Sequence, residues 1–242
     1  MARPRTPLLS RERIVVAALA LVDAEGLDAL STRRLAAVLS VSGPSLYNHF
    51  ATKDELLDAV VDSVIGEVDL TMFPAAGPDW RGALGAWARS YRAALAAHPS
   101  IVPVLAQGPG RRPNALRLAD AVYGCLVEAG WPRGQATRIG ALMRYFVAGS
   151  ALGSFAAGFP EDAELYATGY PHLGEAHRIA EHRRQIDEGA FETGLEALLD
   201  GLELRYLRTV VGESAARPAG QGGAHQGSRA TKAGRVEGST GS

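Results

Sequence analysis

The chain has 242 residues, of which 47% are apolar and 21% are charged, and its formal net charge is −1. These proportions are typical of a folded globular protein. The net charge of −1 excludes a strongly basic chain, whose overall charge would by itself indicate nucleic-acid binding. The charge is unevenly distributed, because residues 1–53 carry seven Lys and Arg against four Asp and Glu. A net of +3 in this region on a mildly acidic remainder favours local binding of an anion.

The cysteine content and the hydropathy of the sequence indicate in which cellular compartment the protein is expected. The single cysteine, Cys125, excludes an intrachain disulfide and is compatible with a reducing compartment. The N-terminal sequence MARPRTPLLSRER contains no apolar signal core. The stretch 139–159 is long enough to cross a bilayer, but Arg144 interrupts it, which favours a helix buried in protein. We therefore expect a cytoplasmic protein with no membrane partner.

Two helices are predicted before residue 40. The first follows Ser10 and ends at Gly26, since glycine is favoured just after a helix C-terminus. Either Ser31 or Thr32 can cap the second helix. The apolar face of the first helix consists of Ile14, Ala18, Leu21 and Val22, and that of the second of Leu35, Val38 and Leu39.

The sequence SVSGP ends the second helix, and a third, short helix begins near Pro44, because proline is tolerated in the first turn of a helix. Thr52 with Glu55 three residues later is the capping-box pattern, which predicts a longer fourth helix. Helices two and three, joined by a tight turn, form a candidate helix-turn-helix unit. Such a unit places its second helix in the DNA major groove.

The turn FPAAGPD at residues 73–79 is typical of a domain boundary. Beyond it, helices are predicted at about 79–97, 100–107, 112–129, 133–158 and 187–209. The segment 159–186 is less regular, with one short helix near 174–184. Strand-like alternation is absent, so the predicted fold is all-α. We divide it into a helix-turn-helix domain with an N-terminal arm (1–55), a helical ligand-binding and dimerisation domain (56–211), joined by the helix starting near 53, and a disordered tail (212–242).

The third helix mixes apolar and polar residues in a way that fits DNA contact. Leu46 and Phe50, four residues apart, face inward to pack on helices one and two. Tyr47, His49 and Lys53 then face outward with groups suited to phosphate oxygens. The candidates for contact with base edges are Ser42, Gly43, Pro44, Ser45 and Asn48, and Arg33 can reach a guanine edge or a phosphate.

Each of these residues has an ordinary structural alternative. Tyr47 could be half-buried with its hydroxyl hydrated, His49 could be structural, and Arg33 could be a solvated charge. The DNA-binding interpretation depends on their occurring together on one helix-turn-helix unit.

This region resembles the DNA-binding domain of the tetracycline-repressor (TetR) family. The pattern of the first helix and the motifs GLDALSTRRLA, LYNHF and KDELL match in order and spacing over about fifty residues. The segments WRGALGAWARSYRAALAAHP and FETGLEALLDGLELRYL also resemble the tetracycline repressor. The resemblance implies a C-terminal domain that binds a small molecule and forms a dimer. It also implies DNA contacts by Thr32, Arg33, Pro44, Ser45, Tyr47, His49 and Lys53.

The residues themselves also favour a homodimer. In 188–209, large apolar side chains form one face and small residues run alongside. Glycine inside a helix costs roughly 1 kcal/mol relative to alanine, so such glycines need a packing reason. We expect the helices at about 133–158 and 187–209 to pair with their symmetry mates in a four-helix interface; the alternative is that both are core helices of a monomer. The small residues are Ala190, Gly194, Ala197 and Gly201, with Gly149 and Gly153 in the other helix.

A ligand pocket is predicted among aromatic and large apolar residues of the C-terminal body. In the tetracycline-binding relative, recognition uses a histidine metal ligand and polar anchors, and those positions correspond here to Asp69, Trp87 and Leu105. We therefore expect no metal or other cofactor, and an apolar or aromatic organic effector. The predicted lining consists of Trp87, Tyr91, Leu105, Tyr123, Met143 and Phe146, with Trp131 and Phe155 as further candidates.

An enzyme is not indicated. No metal-binding histidine motif, phosphate loop or nucleophile motif occurs, and His172, His177 and His182 are five residues apart, which does not stack them on one helical face. The sequence predicts a ligand-responsive transcriptional regulator, a repressor that binds a palindromic operator in double-stranded DNA and is released by its effector. Two alternative interpretations stay open: a transcriptional activator, and a helical small-molecule-binding protein without DNA-binding activity.

Overall fold

The computed structural model describes residues 9–74, 76–77, 79–106 and 110–211. The predicted disordered tail at 212–242 and the start of the N-terminal arm lie outside these residues. Within them the regular structure is helical and no strand occurs, which confirms the all-α prediction.

Four helices form the N-terminal region, which we call the head. The predicted cap at Thr52 is present, since its Oγ1 accepts from the Glu55 N–H at 3.0 Å. The first helix follows Ser10 as predicted, and the Ser10 Oγ caps it by accepting from the Arg13 N–H at 3.2 Å. Of the two candidates for the second cap, Ser31 is used, with its Oγ accepting from the Arg34 N–H at 3.3 Å. The helices are α1 (Arg11–Glu25), α2 (Thr32–Leu39), α3 (Gly43–Tyr47) and α4 (Lys53–Ile65), with a 3₁₀ turn at Leu27–Ala29.

The remaining helices form the body. Predicted helices at 79–97 and 112–129 are confirmed as α5 and α6, and the predicted helix at 100–107 is a 3₁₀ helix that contains Pro103. The elements are α5 (Trp80–Ala97), a 3₁₀ helix (Pro99–Ala106), α6 (Pro113–Glu128), α7 (Arg133–Ala151), α8 (Ala163–Gly169) and α9 (Arg183–Tyr206). Shorter 3₁₀ segments are Ala156–Gly158, Pro171–Leu173 and Ala176–His182, and a π turn follows at Leu207–Val211.

Two predicted boundaries were wrong. Helix α7 ends at Ala151 rather than near residue 158, because glycine and serine recur through GSALGS and both are weaker helix formers than alanine or leucine. Helix α9 starts earlier than predicted, at Arg183. The short helix expected near 174–184 is the 3₁₀ helix Ala176–His182, while α8 and the 3₁₀ turn Pro171–Leu173 before it were not predicted.

Helix α4 connects the head to the body. It packs on α1 on one side and on α5 and α6 on the other. Val60, Val61 and Val64 are fully buried in the core that the two regions share. A second connection is His98, whose ring nitrogens lie 2.8 Å from an Asp23 carboxylate oxygen on α1 and 3.2 Å from a Glu67 oxygen just after α4. A shift of the body can therefore reach the head directly.

No helix in the described parts of the chain is both long and apolar enough to cross a membrane. Helix α7 contains most of the apolar stretch that raised the question, and it is buried on only part of its circumference. Leu142 and Tyr145 are exposed, while Met143 and Val147 are fully buried.

Candidate DNA interface and small-molecule cavity

Helix α3 separates its apolar and polar residues as the sequence predicted. Leu46 and Phe50 are buried against the rest of the head. Tyr47 is 55% exposed and Asn48 is exposed beside it, whereas His49 is half-buried. At the start of the helix, Ser42 and Ser45 hydrogen bond through their hydroxyls at 2.7 Å.

The turn before α3 depends on one residue in a left-handed conformation. Ser40, at the C-terminus of α2, has φ 55° and ψ 43°, which a short polar side chain tolerates better than a branched one. Its backbone N–H bonds to the carbonyl oxygens of Ala36 and Ala37, which ends α2 abruptly. The chain is thereby redirected so that α3 packs on α2 and leaves Tyr47 in solvent.

Three long polar side chains on the outer surface of the head have no partner within the described chain. Arg33, Tyr47 and Lys53 are exposed and make no hydrogen bond or ion pair with another described residue. By contrast, Arg34, the next residue on α2, is paired with Glu25. Thr32 is half-buried at the start of α2. The exposed groups of the head therefore remain available to a partner of opposite charge.

Arg11 holds the segment between α3 and α4, a role that was not predicted. Its guanidinium donates to the His49 carbonyl, lies 2.9 Å from a Glu55 carboxylate oxygen and stacks 4.0 Å from the centre of the Phe50 ring. Glu55 also accepts from the Ala51 N–H at 2.8 Å. These contacts lower the pKa of the Glu55 carboxyl, the Ala51 bond contributing most and Arg11 next. The capping box was the one available signal, because it placed Glu55 here.

The body contains a cavity of about 260 Å³ between helices α4, α5, α6 and α7. Three of the six predicted residues line it: Trp87 and Tyr91 from α5, and Tyr123 from α6. Most of the remaining wall is apolar. The complete lining is Ile65, Trp87, Tyr91, Arg112, Ala115, Leu118, Ala119, Val122, Tyr123, Thr137, Gly140, Ala141 and Arg144.

The other three predicted residues do not line the cavity. Leu105 is buried, and its carbonyl accepts from Arg144 Nη2 at 2.7 Å. Met143 is fully buried, and Phe146 stacks on Phe191 of α9 with ring centres 5.4 Å apart. The cavity side of α7 is Thr137, Gly140, Ala141 and Arg144, a stripe at helical spacing that excludes positions 143 and 146.

The two further aromatic candidates are also placed elsewhere. Trp131 is buried in a cluster with Trp80 and Tyr206, whose ring centres lie 5.4 Å and 5.3 Å away. Phe155 is 72% exposed and follows the end of α7. Sequence reasoning chose aromatic and large apolar residues and therefore missed Arg112 and Arg144.

The cavity does not fit a chelated metal. Trp87 and Leu105, at two of the positions that matter in the tetracycline-binding relative, offer no metal ligand. Asp69, at the third, lies outside the cavity wall and accepts from the Thr71 N–H at 2.8 Å, a bond that lowers the pKa of its carboxyl. Across the described residues, no group of three or more His, Cys, Asp or Glu side chains is arranged to hold a metal ion.

Helix α4 is bonded to the wall of the cavity at two adjacent points. Arg112, only 7% exposed, donates from Nε to Asp58 of α4 at 3.1 Å. One turn further along α4, the buried carboxylate of Asp62 accepts from the N–H groups of Asn114 and Ala115, at 3.0 and 3.1 Å. Asp62 therefore caps the N-terminus of α6 from another helix, satisfying donors that would otherwise be unpaired. Both contacts place α4 in direct mechanical connection with the cavity.

Helix α3 is short, packs on α2 and presents exposed polar residues, and α4 connects it to a body with an internal cavity. These features are those of a helix-turn-helix DNA-binding regulator. Residues 14–60 match the family described as bacterial regulatory proteins, tetR family. Residues 73–206 match the tetracyclin repressor-like C-terminal domain. The chain belongs to the TetR family of bacterial transcriptional regulators.

Individual relatives agree with this assignment. An HTH-type transcriptional regulator of Saccharopolyspora erythraea is 39% identical over 178 residues, which cover 74% of this chain and 70% of that protein. The tetracycline repressor protein class A from transposon 1721 of Escherichia coli is 36% identical over 208 residues, covering 82% and 93% respectively. The solved structure of ActR from Streptomyces coelicolor in complex with actinorhodin is 33% identical, with a TM-score of 0.65 over 81% of this chain and 98% of that one.

Proposed function

We propose that the protein is a repressor that binds a palindromic operator as a homodimer and is released by a small organic effector. Membership of the TetR family supports the regulator class, and the outward polar surface of the head supports DNA binding. We also propose that the functional division falls within α4, with residues 1–55 serving DNA and residues 56–211 serving the effector and the partner subunit. The single observation that carries the proposal is the set of three exposed side chains without a partner in the described chain, Arg33, Tyr47 and Lys53, on and beside α3.

Exposure supports the DNA contacts proposed for Arg33, Tyr47 and Lys53. Tyr47 and Lys53 project groups suited to phosphate oxygens, and the half-buried His49 adds a third. Arg33, one residue into α2, would reach a guanine edge or a phosphate. The remaining contacts, to base edges or the backbone, are assigned to Thr32, Ser42, Gly43, Pro44, Ser45 and Asn48.

Dimerisation is proposed through α7 and α9. On α9, Phe191, Leu195 and Leu199 are buried within the protomer and so cannot serve the interface. The opposite side remains exposed, with small residues at Ala190, Ala197 and Gly201 and with Leu204. On α7 and just beyond it, the exposed apolar residues are Leu142, Tyr145, Leu152 and Phe155. A monomer would leave these two apolar stripes in water, which supports a second copy as their partner.

The glycines separate contacts within the protomer from contacts between protomers. A Cβ added at Gly194 would lie 2.7 Å from the Phe146 ring, so packing within the protomer explains this glycine. A Cβ at Gly149 or Gly201 would meet no described atom within 4 Å. Since glycine in a helix interior costs roughly 1 kcal/mol relative to alanine, close approach of a second subunit would explain why these two are kept.

Release by an effector would work through α4. A molecule in the cavity touches Ile65 of α4 directly and Arg112, which is bonded to Asp58 of α4. An effector that binds more tightly to one position of α4 than to another shifts the equilibrium between the two. Since α4 begins at Lys53, next to α3, such a shift would alter the distance between the two α3 helices of a dimer and lower the affinity for the operator.

The DNA interface is tested by gel-shift titration across operator variants. Tyr47→Ala and Lys53→Ala should weaken binding to all operators, while Arg33→Ala and Ser45→Ala should change which operator is preferred. Arg34→Ala is the matched control, because Arg34 neighbours Arg33 on α2 but is paired with Glu25. Wild-type binding by all four variants would contradict the proposed surface. A wild-type protein that binds no duplex above background at low salt would instead support the small-molecule-binding alternative.

A further inference from the structure

The chemistry of the cavity wall narrows the effector to a class. This inference rests on the proposed function, since it takes the cavity as the effector site. Among the described lining residues there are two arginines, Arg112 and Arg144, and no Asp or Glu. Arginine stays protonated at any physiological pH, so the wall carries positive charge.

The positive charge of Arg112 is partly neutralised by Asp58, which is not among the residues that line the cavity. Its Nε and Nη2 both donate to one Asp58 oxygen, and the Asp58 side chain is 58% exposed to water. No described residue accepts from Nη1. A guanidinium presents donors along two edges, so Arg112 can hold Asp58 with one edge and a second carboxylate with another.

Two further groups in the wall also donate. Trp87 is buried, and its indole Nε1–H has no acceptor within the described chain, although a buried donor of this kind is nearly always paired. Tyr91 is buried as well, and its hydroxyl oxygen accepts a hydrogen bond from the Arg144 side chain. Burial raises the pKa of this hydroxyl against the opposing effect of Arg144, so the hydroxyl keeps a proton that it can donate. Arg144 donates from Nη2 to the neutral carbonyl of Leu105. The wall therefore offers donors and positive charge, and a matching ligand supplies acceptors and negative charge.

The size and the apolar part of the wall define the rest of the ligand. An apolar cavity of about 150 Å³ accepts one benzene ring. The volume of about 260 Å³ is less than twice that, which leaves room for two fused rings. Trp87, Tyr91 and Tyr123 supply aromatic surface for such rings. A cationic ligand, including a metal chelate of net positive charge, would be repelled by the two arginines.

We propose that the effector is a flat aromatic acid of two fused rings, whose ionised carboxylate binds Arg112 and Arg144 and accepts from the Trp87 indole. The carboxylate shares Arg112 with Asp58, so its arrival weakens the hold of the cavity wall on α4. The negative charge of the ligand therefore acts on the Arg112–Asp58 ion pair, which connects the body to the head.

The test is a titration of the purified full chain with two matched compounds, naphthalene-2-carboxylate and naphthalene-2-carboxamide, followed by calorimetry. The two share their rings and differ in charge. The carboxylate should bind wild-type protein at least about tenfold more tightly, since hydrogen bonds to a charged group are the stronger ones. Arg112→Gln and Arg144→Gln should each reduce this ratio to about threefold or less. Arg138→Gln, which removes the same charge from α7 at an exposed position outside the cavity wall, should leave it unchanged.

Two further measurements keep the test decisive if an arginine variant fails to fold. The ratio in wild-type protein needs no variant. Trp87→Phe removes the unpaired donor together with part of the ring; the lost ring surface affects both compounds alike, so the carboxylate should still be weakened more than the carboxamide. Equal affinity for both compounds, preference for the carboxamide, or binding of neither at millimolar concentration would overturn the proposal. Operator binding by the same wild-type sample is measured separately, so that a protein which binds DNA without this preference would refute the ligand class alone.

Discussion

The head and the body of the molecule differ in how their functional surfaces are built. In the head, the proposed DNA surface comes from one contiguous stretch, residues 32–53, and its polar groups point away from a small apolar core. In the body, the cavity is assembled from four helices between Ile65 and Arg144. A surface made from neighbouring residues can be inferred from helical periodicity, whereas a cavity depends on which face of each helix meets the others.

The same side-chain type therefore means different things in the two regions. In α3, Tyr47 is exposed because Leu46 and Phe50 already fill the inner side. In the body, Tyr91 lines the cavity, Phe146 stacks on α9, and Tyr206 bonds to the Ala129 carbonyl at 2.7 Å. Four variants or matched pairs test this contrast, from the largest expected effect to the smallest.

The inner and outer sides of α3 should respond oppositely to truncation. Phe50→Ala removes a buried ring and the partner of the Arg11 guanidinium, and we expect a loss of about 3–5 kcal/mol in the free energy of unfolding, with DNA binding lost as well. Tyr47→Ala should change the unfolding free energy by only about 0.5 kcal/mol while weakening DNA binding. Thermal and urea denaturation followed by circular dichroism measures the unfolding free energy of both variants, and gel-shift titration measures their DNA binding. Similar destabilisation by the two variants would place Tyr47 in the core.

The contact between α4 and α6 should be the most sensitive polar point between the regions. Asp62→Ala leaves the Asn114 and Ala115 N–H groups without their acceptor, and we expect a cost of about 2 kcal/mol. Asp120→Ala is the control, because Asp120 is an exposed carboxylate on α6. Urea denaturation of both variants measures the two changes in the free energy of unfolding. An unchanged midpoint for Asp62→Ala would mean that the cap contributes nothing to the coupling of α4 and α6.

Two glycines of α9 should separate packing inside the protomer from packing between protomers. Gly194→Ala places a Cβ against the Phe146 ring, and we expect about 1–2 kcal/mol of destabilisation. Gly201→Ala has open space in the protomer and improves helix propensity, so the protomer should not be destabilised, but the dimer should dissociate more readily. Sedimentation equilibrium combined with urea denaturation distinguishes the two. A Gly201→Leu protein that dimerises like wild type would exclude this face of α9 from the interface.

The smallest effect is expected at the edge of the DNA surface. Lys53→Ala should weaken operator binding by roughly five- to tenfold, independently of sequence, because an exposed phosphate contact is worth about 1 kcal/mol. The slope of log affinity against log salt concentration should fall by about 1. Fluorescence anisotropy at several salt concentrations gives both quantities. A changed operator preference with an unchanged slope would instead assign Lys53 to a base edge.

The fold could be predicted wherever local physical rules act alone. The caps at Ser10 and Thr52 and the inward placement of Leu46 and Phe50 follow from spacing within one turn of helix. The end of α7 was missed because the apolar residues of 152–159 continue a helical pattern that glycine and serine interrupt. Arg112 and Arg144 were missed for a different reason. A charged residue in a sequence suggests a solvated surface, and only the packing of α4 to α7 places both guanidinium groups in the cavity wall.

Selection of bound sequences from random duplex DNA, followed by a footprint of the selected duplex, tests the central claim most directly. The account predicts recovery of a short inverted repeat with a footprint spanning two half-sites, since each protomer of a two-fold dimer presents one α3 helix to the major groove. Recovery of nothing above a salt-sensitive background, or of a single half-site with no inverted partner, would contradict a dimeric operator-binding repressor.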